Sequence, residues 1–131
     1  MIYIVIPVHN RRETTLKCLH YLHLQTYHDY QIIIVDDGST DGTAATIRAA
    51  YPATTILTGD GQLWWAGAMY QGIKHALRMA TAADYVLSLN DDVIVEPDYL
   101  QQLLTASQNN NQAVVGSLCK DIKDHKKILD A

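Results

Sequence analysis

Residues 87–97, LSLNDDVIVEP, end an apolar run on Asn90, Asp91 and Asp92 before turning apolar again. Adjacent carboxylates repel, so a strand end gains no stability from carrying them. An oxygen-ligand site for a hard cation does use such a pair. Mg2+ or Mn2+ binds through one or two carboxylates while substrate phosphates and waters fill the rest of the shell. A second acidic pair, Asp36 and Asp37, closes the apolar run YQIIIVDD and opens the segment GSTDG, 38–42. Turn formation and capping of the next helix by Thr40 or Asp41 explain 38–42 but not the paired carboxylates behind them. Asp37 is therefore read as a binding carboxylate, able to accept from a base N–H or a ribose hydroxyl, and Asp36 as structural.

Other chemistries find no support. His9, His20, His23, His28, His75 and His125 lack ligand spacing, and His20 and His23, one helical turn apart, read as surface residues. Cys18 and Cys119 are far apart and read as reduced structural thiols. No GxxxxGK[ST] or GxGxxG loop is present; GDGQLWWAGAMYQG, 59–72, misses both spacings. Trp64 and Trp65 are neighbours that face different ways on any regular element. One is expected in the core, and the other, taken as Trp65, as an exposed platform for a base or sugar.

The chain has 131 residues with 48% hydrophobic and 18% charged content, enough for one globular domain with a real core. A net charge of −4 without a strong basic cluster argues against nucleic acid as a partner. No apolar run is long enough to span a bilayer, and the N-terminal run reads as a strand rather than a signal peptide.

The elements that must hold these residues alternate in type. Strands are expected at 2–8, 30–37, 53–59, 84–90 and 113–118. Helices are expected at 12–26, from 39 to near Pro52, at 63–80, and from Glu96-Pro97-Asp98 onward, with Pro97 in the first turn. Gly67 and Gly72 blur where the third helix begins. Such alternation predicts a three-layer α/β/α fold with a mostly parallel sheet. Ligands of such sheets bind beyond the carboxyl ends of the strands. His9, Asn10 and Arg11, Asp36 and Asp37, Asp60, and Asn90 to Asp92 all come directly after strands, so they are expected on one edge.

IVIPVHNR, IIIVDDGSTDGT and LNDDVIVEPDYL, in this order, resemble the inverting GT-A glycosyltransferases of family 2. The likeness covers most of the chain, and WWAGAMYQGI with LNDDV resembles the rhamnosyltransferase-type branch. The resemblance implies a Rossmann-like nucleotide-diphospho-sugar transferase fold. It implies that Pro7, Val8 and His9 lie beside the nucleotide base and that Asp37 hydrogen-bonds the base. Asn90 and Asp92 take the outer positions of the family's DxD motif, with Asp92 the Mn2+ or Mg2+ ligand on the donor diphosphate. Asp91 would stand near the ribose or a metal-bound water.

The resemblance further implies a nucleotide-diphosphate sugar donor and a glycan or lipid-linked acceptor. Reduced cysteines fit a cytoplasmic location, which leaves peripheral membrane association open, and a sheet cut off here would expose apolar surface through which a homodimer could form. Three departures qualify it. Asn90 replaces the first acidic residue of DxD. Met69 and Tyr70 stand where Arg and Asn are common. The family's general base lies well downstream of DxD, beyond Ala131. Residues 1–131 are accordingly expected to be a single domain, the donor-binding half of a longer enzyme, with the acceptor-binding part absent. A non-catalytic nucleotide-sugar-binding or interaction module is the rival reading. A phosphorelay receiver ranks below both, because a whole strand–helix unit precedes the acidic pair.

Overall fold

The run IYIVIPV forms β1 (Ile2–Val8), buried along its whole length, as a strand covered on both faces must be. It sits inside a four-stranded parallel sheet of order β3-β2-β1-β4. Its neighbours are β2 (Tyr30–Asp36) and β4 (Tyr85–Ser88), and β3 (Thr55–Thr58) lies outside β2. Val8 is level with Asp36, and Asp36 with Thr58, so the segments leaving these strands emerge together. This computed structural model describes residues 1–121, 123 and 128–129; His125 lies outside them.

Alternation along the strands sorts the helices into two layers. Ile2, Ile4, Ile6 and Val8, with Ile32 and Ile34, meet Leu19 and Leu22 of α1 (Arg12–His23), Ile47 of α2 (Thr43–Ala50) and Leu100 of α4 (Tyr99–Asn109). Tyr3, Val5, Ile33 and Val35 point the other way, onto Ala68, Met69 and Ala76 of α3 (Trp64–Met79). Each such buried aliphatic side chain stabilises by roughly 1.5–3 kcal/mol. Buried Gln25 ties the first layer together: its amide donates to Glu96 O at 2.6 Å and accepts from Leu100 N at 2.9 Å.

The other layer depends on closeness. Ala68, Gly72 and Ala76 recur every four residues along the buried face of α3. A Cβ on Gly72 would lie 2.2 Å from Val5 Cγ1 and 3.0 Å from Val35 Cγ2. Gly72 therefore brings the helix down onto the sheet rather than marking its start.

The expected three-layer fold is what forms, with α1 and α2 shorter than expected and two further differences beyond β4. Residues 113–118 are not a strand. Asn111 and Gln112 take left-handed backbone, Gln112 N donates to Ser107 O, and Ser107 Oγ donates to Ala113 O, so the chain turns back on the end of α4. Val114 is left wholly exposed. Past this turn the chain forms a separate antiparallel pair, β5 (Cys119–Lys120) with β6 (Ile128–Leu129). The second difference is at α4, which starts at Tyr99 behind an Asp98 N-cap. Pro97 thus precedes the helix, where its carbonyl is free to accept from Thr26 N. No helix of the described residues is long and apolar enough to cross a membrane.

Gly72→Ala should lower stability by about 1–3 kcal/mol through overpacking against Val5 and Val35. Gly116→Ala, where a Cβ meets nothing within 4 Å, should change it little. Urea denaturation of the two variants checks the contrast; equal midpoints would show that α3 does not need its close approach.

Candidate functional site

A cleft of about 340 Å³ opens beyond the carboxyl ends of β1, β2 and β4. Pro7, Val8 and His9 reach it from the first strand, Asp37 from the second, Trp65 from the first turn of α3, and Asn90, Asp91 and Asp92 from the fourth. All eight residues that the sequence singled out for binding therefore line one space. Arg11, Gly61, Trp64 and Ala68 line it as well. Of these, only Arg11 was signalled in sequence, as a polar residue after β1.

Both members of the Asp36–Asp37 pair are buried. Asp36 Oδ1 accepts from Ser39 N at 3.0 Å, the structural part expected of it. Asp37 carries more of the architecture than its sequence position suggests. Oδ1 accepts from Gly61 N at 2.8 Å, and Oδ2 accepts from Leu63 N at 2.9 Å and Trp64 N at 3.0 Å. One carboxylate thus satisfies three of the backbone donors at the start of α3, whose own N-cap residue, Leu63, supplies no side-chain cap. Gly38 and Gly61 adopt left-handed backbone where this loop crosses the Asp37 turn, and a Cβ on Gly38 would stand 2.9 Å from Gly61 N.

The end of β1 is tied to the same turn. His9 Nδ1 donates to the Asp37 carbonyl, which leaves Nε2 to accept from the Asn10 amide at 3.1 Å. Asn10 takes a left-handed conformation and exchanges hydrogen bonds with the next loop, donating from N to Ser39 Oγ and accepting at Oδ1 from Thr40 N, both at 2.8 Å. Asp41 caps α2 and α1 together, accepting at Oδ1 from Thr43 N and at Oδ2 from Arg12 N. Ser39, Thr40 and Asp41 are thus turn and cap residues, as the sequence implied.

The Asn90–Asp92 triplet splits three ways. Asp91 is buried and turned toward α1, with Oδ1 3.1 Å from Arg11 Nη1 and Oδ2 accepting from Thr15 Oγ1 at 3.2 Å. Burial pushes its carboxyl above the usual range; Arg11 and the Thr15 hydroxyl pull it down, and Asp92 pushes it up again. Asp92 is 49% exposed, and its Oδ2 meets Arg11 Nη2 at 3.2 Å. Asn90 presents Oδ1 to Trp65 Nε1 at 2.9 Å, a hydrogen bond that joins the loop after β4 to the start of α3. Beneath them, Cys18 Sγ donates to Asn90 O at 3.7 Å. Burial first, then the charges of Asp91 and Asp92, push this thiol up to about 12, so it stays a protonated packing group. Cys119 is free and exposed.

Neither tryptophan is in the core, contrary to expectation. Trp64 is 79% and Trp65 58% exposed, because both sit in the first turn of α3, beyond the sheet that the helix covers. Trp64 also holds a left-handed backbone that its N–H bond to Asp37 helps to fix. Met69 packs under α3 against the sheet, while Tyr70 is exposed with Lys74 Nζ 5.6 Å from its ring centre. Neither lines the cleft.

A hard divalent cation fits these donors. Among the described residues Asp92 Oδ1 has no hydrogen-bond partner, and Oδ2 has only a half-exposed guanidinium. The Asn90 amide oxygen keeps a second lone pair. No three His, Cys, Asp or Glu side chains converge among the described residues. A carboxylate and an amide oxygen suit Mg2+ or Mn2+ with phosphate and water completing the shell.

Sheet, helical layers and acidic strand ends together make a three-layer α/β domain with a polar cleft at the carboxyl edge of its parallel sheet. Residues 3–128 match the family described as "Glycosyl transferase family 2", and the chain belongs to it. It is 27% identical over 118 residues to Glycosyltransferase GlyG of Streptococcus pneumoniae, across 88% of this chain and 38% of that protein. To the amylovoran biosynthesis glycosyltransferase AmsB of Erwinia amylovora it is 32% identical, across 78% and 34%. Its fold resembles the mannosyltransferase PcManGT from Pyrobaculum calidifontis, solved with GDP-Man and Mn2+ (TM-score 0.71, 22% identity, 95% of this chain and 37% of that one). It also resembles S. aureus TarS, solved with UDP (0.66, 18%, 84% and 32%). The chain thus spans under two fifths of these proteins' lengths.

Asp37→Asn replaces one acceptor oxygen by an NH2 that faces backbone donors. It should cost about 1–3 kcal/mol in the protein without any ligand. Thermal denaturation is the measurement; an unchanged midpoint would mean that Asp37 serves a ligand and not the loop.

Proposed function

We propose that residues 1–131 form the donor-binding unit of an inverting glycosyltransferase that takes a nucleotide-diphosphate sugar with a divalent cation. The convergence of the eight sequence-named residues on one cleft carries this reading. Membership of family 2 supports it, as do the nucleotide and nucleotide-sugar complexes of proteins that share the fold. Pro7, Val8 and His9 form the side of the cleft for the base. Asp37 keeps the opposite loop in place and offers its remaining lone pairs to a base N–H. Trp65, held by Asn90, presents an aromatic face to base or sugar.

Asp92 is the side chain for Mn2+ or Mg2+, with Asn90 beside it and Asp91 behind, toward the ribose side. When bound, the cation offsets the charge that builds on the departing nucleoside diphosphate. The donor sugar is of hexosyl or rhamnosyl type and the acceptor is a glycan or lipid-linked hydroxyl, in a cytoplasmic enzyme that works at the membrane's inner face. Polysaccharide biosynthesis fits such a reaction, and amylovoran biosynthesis is the role in the name of AmsB.

Calorimetric titration with UDP-, GDP- and dTDP-sugars in Mn2+ tests the reading, and no heat with any of them would sink it. Asp92→Asn should abolish the cation-dependent part of binding while stability moves by less than about 0.5 kcal/mol, since its ion pair is exposed. Asp91→Asn should weaken binding less and stability more, because Asp91 is buried and holds both Arg11 and Thr15. Equal nucleotide affinity in wild type and Asp92→Asn would remove the cation from Asp92.

A further inference from the structure

Arg11 is the one permanently charged basic side chain among the residues lining the cleft, and it bridges both acidic neighbours: Nη1 lies 3.1 Å from Asp91 and Nη2 3.2 Å from Asp92. The two halves of the bridge are unequal. Asp91 is buried and has a second partner in Thr15, so its end of the guanidinium is anchored in a poorly solvated corner. Asp92 and Arg11 are each about half exposed, and solvent screens an attraction of that kind. One contact of the guanidinium is therefore firm and the other readily given up.

A cation on Asp92 would stand within a few ångströms of that guanidinium, and like charges so close repel strongly. The cation and Arg11 thus compete for one carboxylate. A diphosphate entering with the cation changes the balance, because its oxygens match the guanidinium fork better than a single carboxylate oxygen does. Resting on the donor-site reading above, we propose that Arg11 is an exchangeable counter-charge. It keeps Asp91 and Asp92 together in the empty cleft, yields Asp92 to the cation, and, still tethered to Asp91, turns its freed edge to the donor diphosphate. Arg11 is then a positioning residue for Asp92 and a specificity residue for the diphosphate. Cation and nucleotide bind cooperatively because each relieves the other's competition with Arg11.

The exchange separates two affinities that a merely structural residue would move together. In wild type, Mn2+ alone, followed by electron paramagnetic resonance, should bind weakly, and UDP or GDP should tighten it. Arg11→Gln should bind Mn2+ alone more tightly than wild type, yet bind the nucleoside diphosphate in Mn2+ about tenfold more weakly, the scale of one charge-assisted contact. Arg11→Lys keeps the charge without the fork and should fall between. It carries the comparison if Arg11→Gln fails to fold. Arg11 variants that change neither affinity, or that lower both in parallel, overturn the exchange while leaving the donor site standing. A wild-type protein that binds Mn2+ but no nucleoside diphosphate overturns the donor reading and the exchange with it.

Discussion

The cleft wall hangs on one buried carboxylate. Just past β2, Asp37 is almost wholly buried and makes its hydrogen bonds inside the protein. It finds them in Gly61, Leu63 and Trp64. Those three N–H groups belong to the loop that delivers α3, and the same loop carries Trp65 toward Asn90 across the cleft. A charged acceptor at the start of a helix also meets the favourable end of the helix dipole. The helix start and the aromatic edge of the site are thereby tied to the end of β2 by a single side chain. Gly38, whose left-handed backbone lets the loop pass within contact distance, is the corollary of that arrangement.

The two helical layers contribute differently to this edge. On one side α1, α2 and α4 cover the sheet with large aliphatic side chains, and Gln25 locks α1 to the start of α4 through two backbone groups. That layer holds Thr15 and Cys18 directly under the Asn90–Asp92 turn. On the other side α3 lies close to the sheet through small residues, so its first turn projects past the strands with both tryptophans exposed. A rigid floor and a projecting wall result, and the cleft is the gap between them.

Much of this was legible from residue order. Continuous β-branched runs and period-matched helices gave the layers. The rule that strand ends share an edge is enough to bring His9, Asp37 and Asp92 together from residue order alone. The failures were of particular kinds. AVVGSL, 113–118, has strand-like composition, but composition does not say whether a sheet edge is available, and left-handed backbone at Asn111 and Gln112 sends it back over α4 instead. The tryptophan pair was misjudged because helical facing decides burial only where the helix still covers the sheet. Arg11 was visible as a polar residue, but its reach to two carboxylates distant in sequence is a tertiary fact no local pattern encodes.

The division of labour among the acidic groups also bounds what this cleft can do chemically. Asp37 is engaged by three backbone donors, and Asp91 by Arg11 and Thr15. His9 has Nδ1 on the Asp37 carbonyl and Nε2 on Asn10. Among the residues that line the cleft, Asp92 alone has a carboxylate oxygen with no described partner. An inverting transfer needs a group to balance charge on the leaving diphosphate and another, on the opposite face of the sugar, to take the acceptor's proton. One carboxylate cannot stand on both faces at once. In the donor-site reading proposed above, Asp92, beside Asn90 and Arg11, serves the leaving group. On that reading the proton acceptor comes from outside this set of residues, which separates donor binding from acceptor activation.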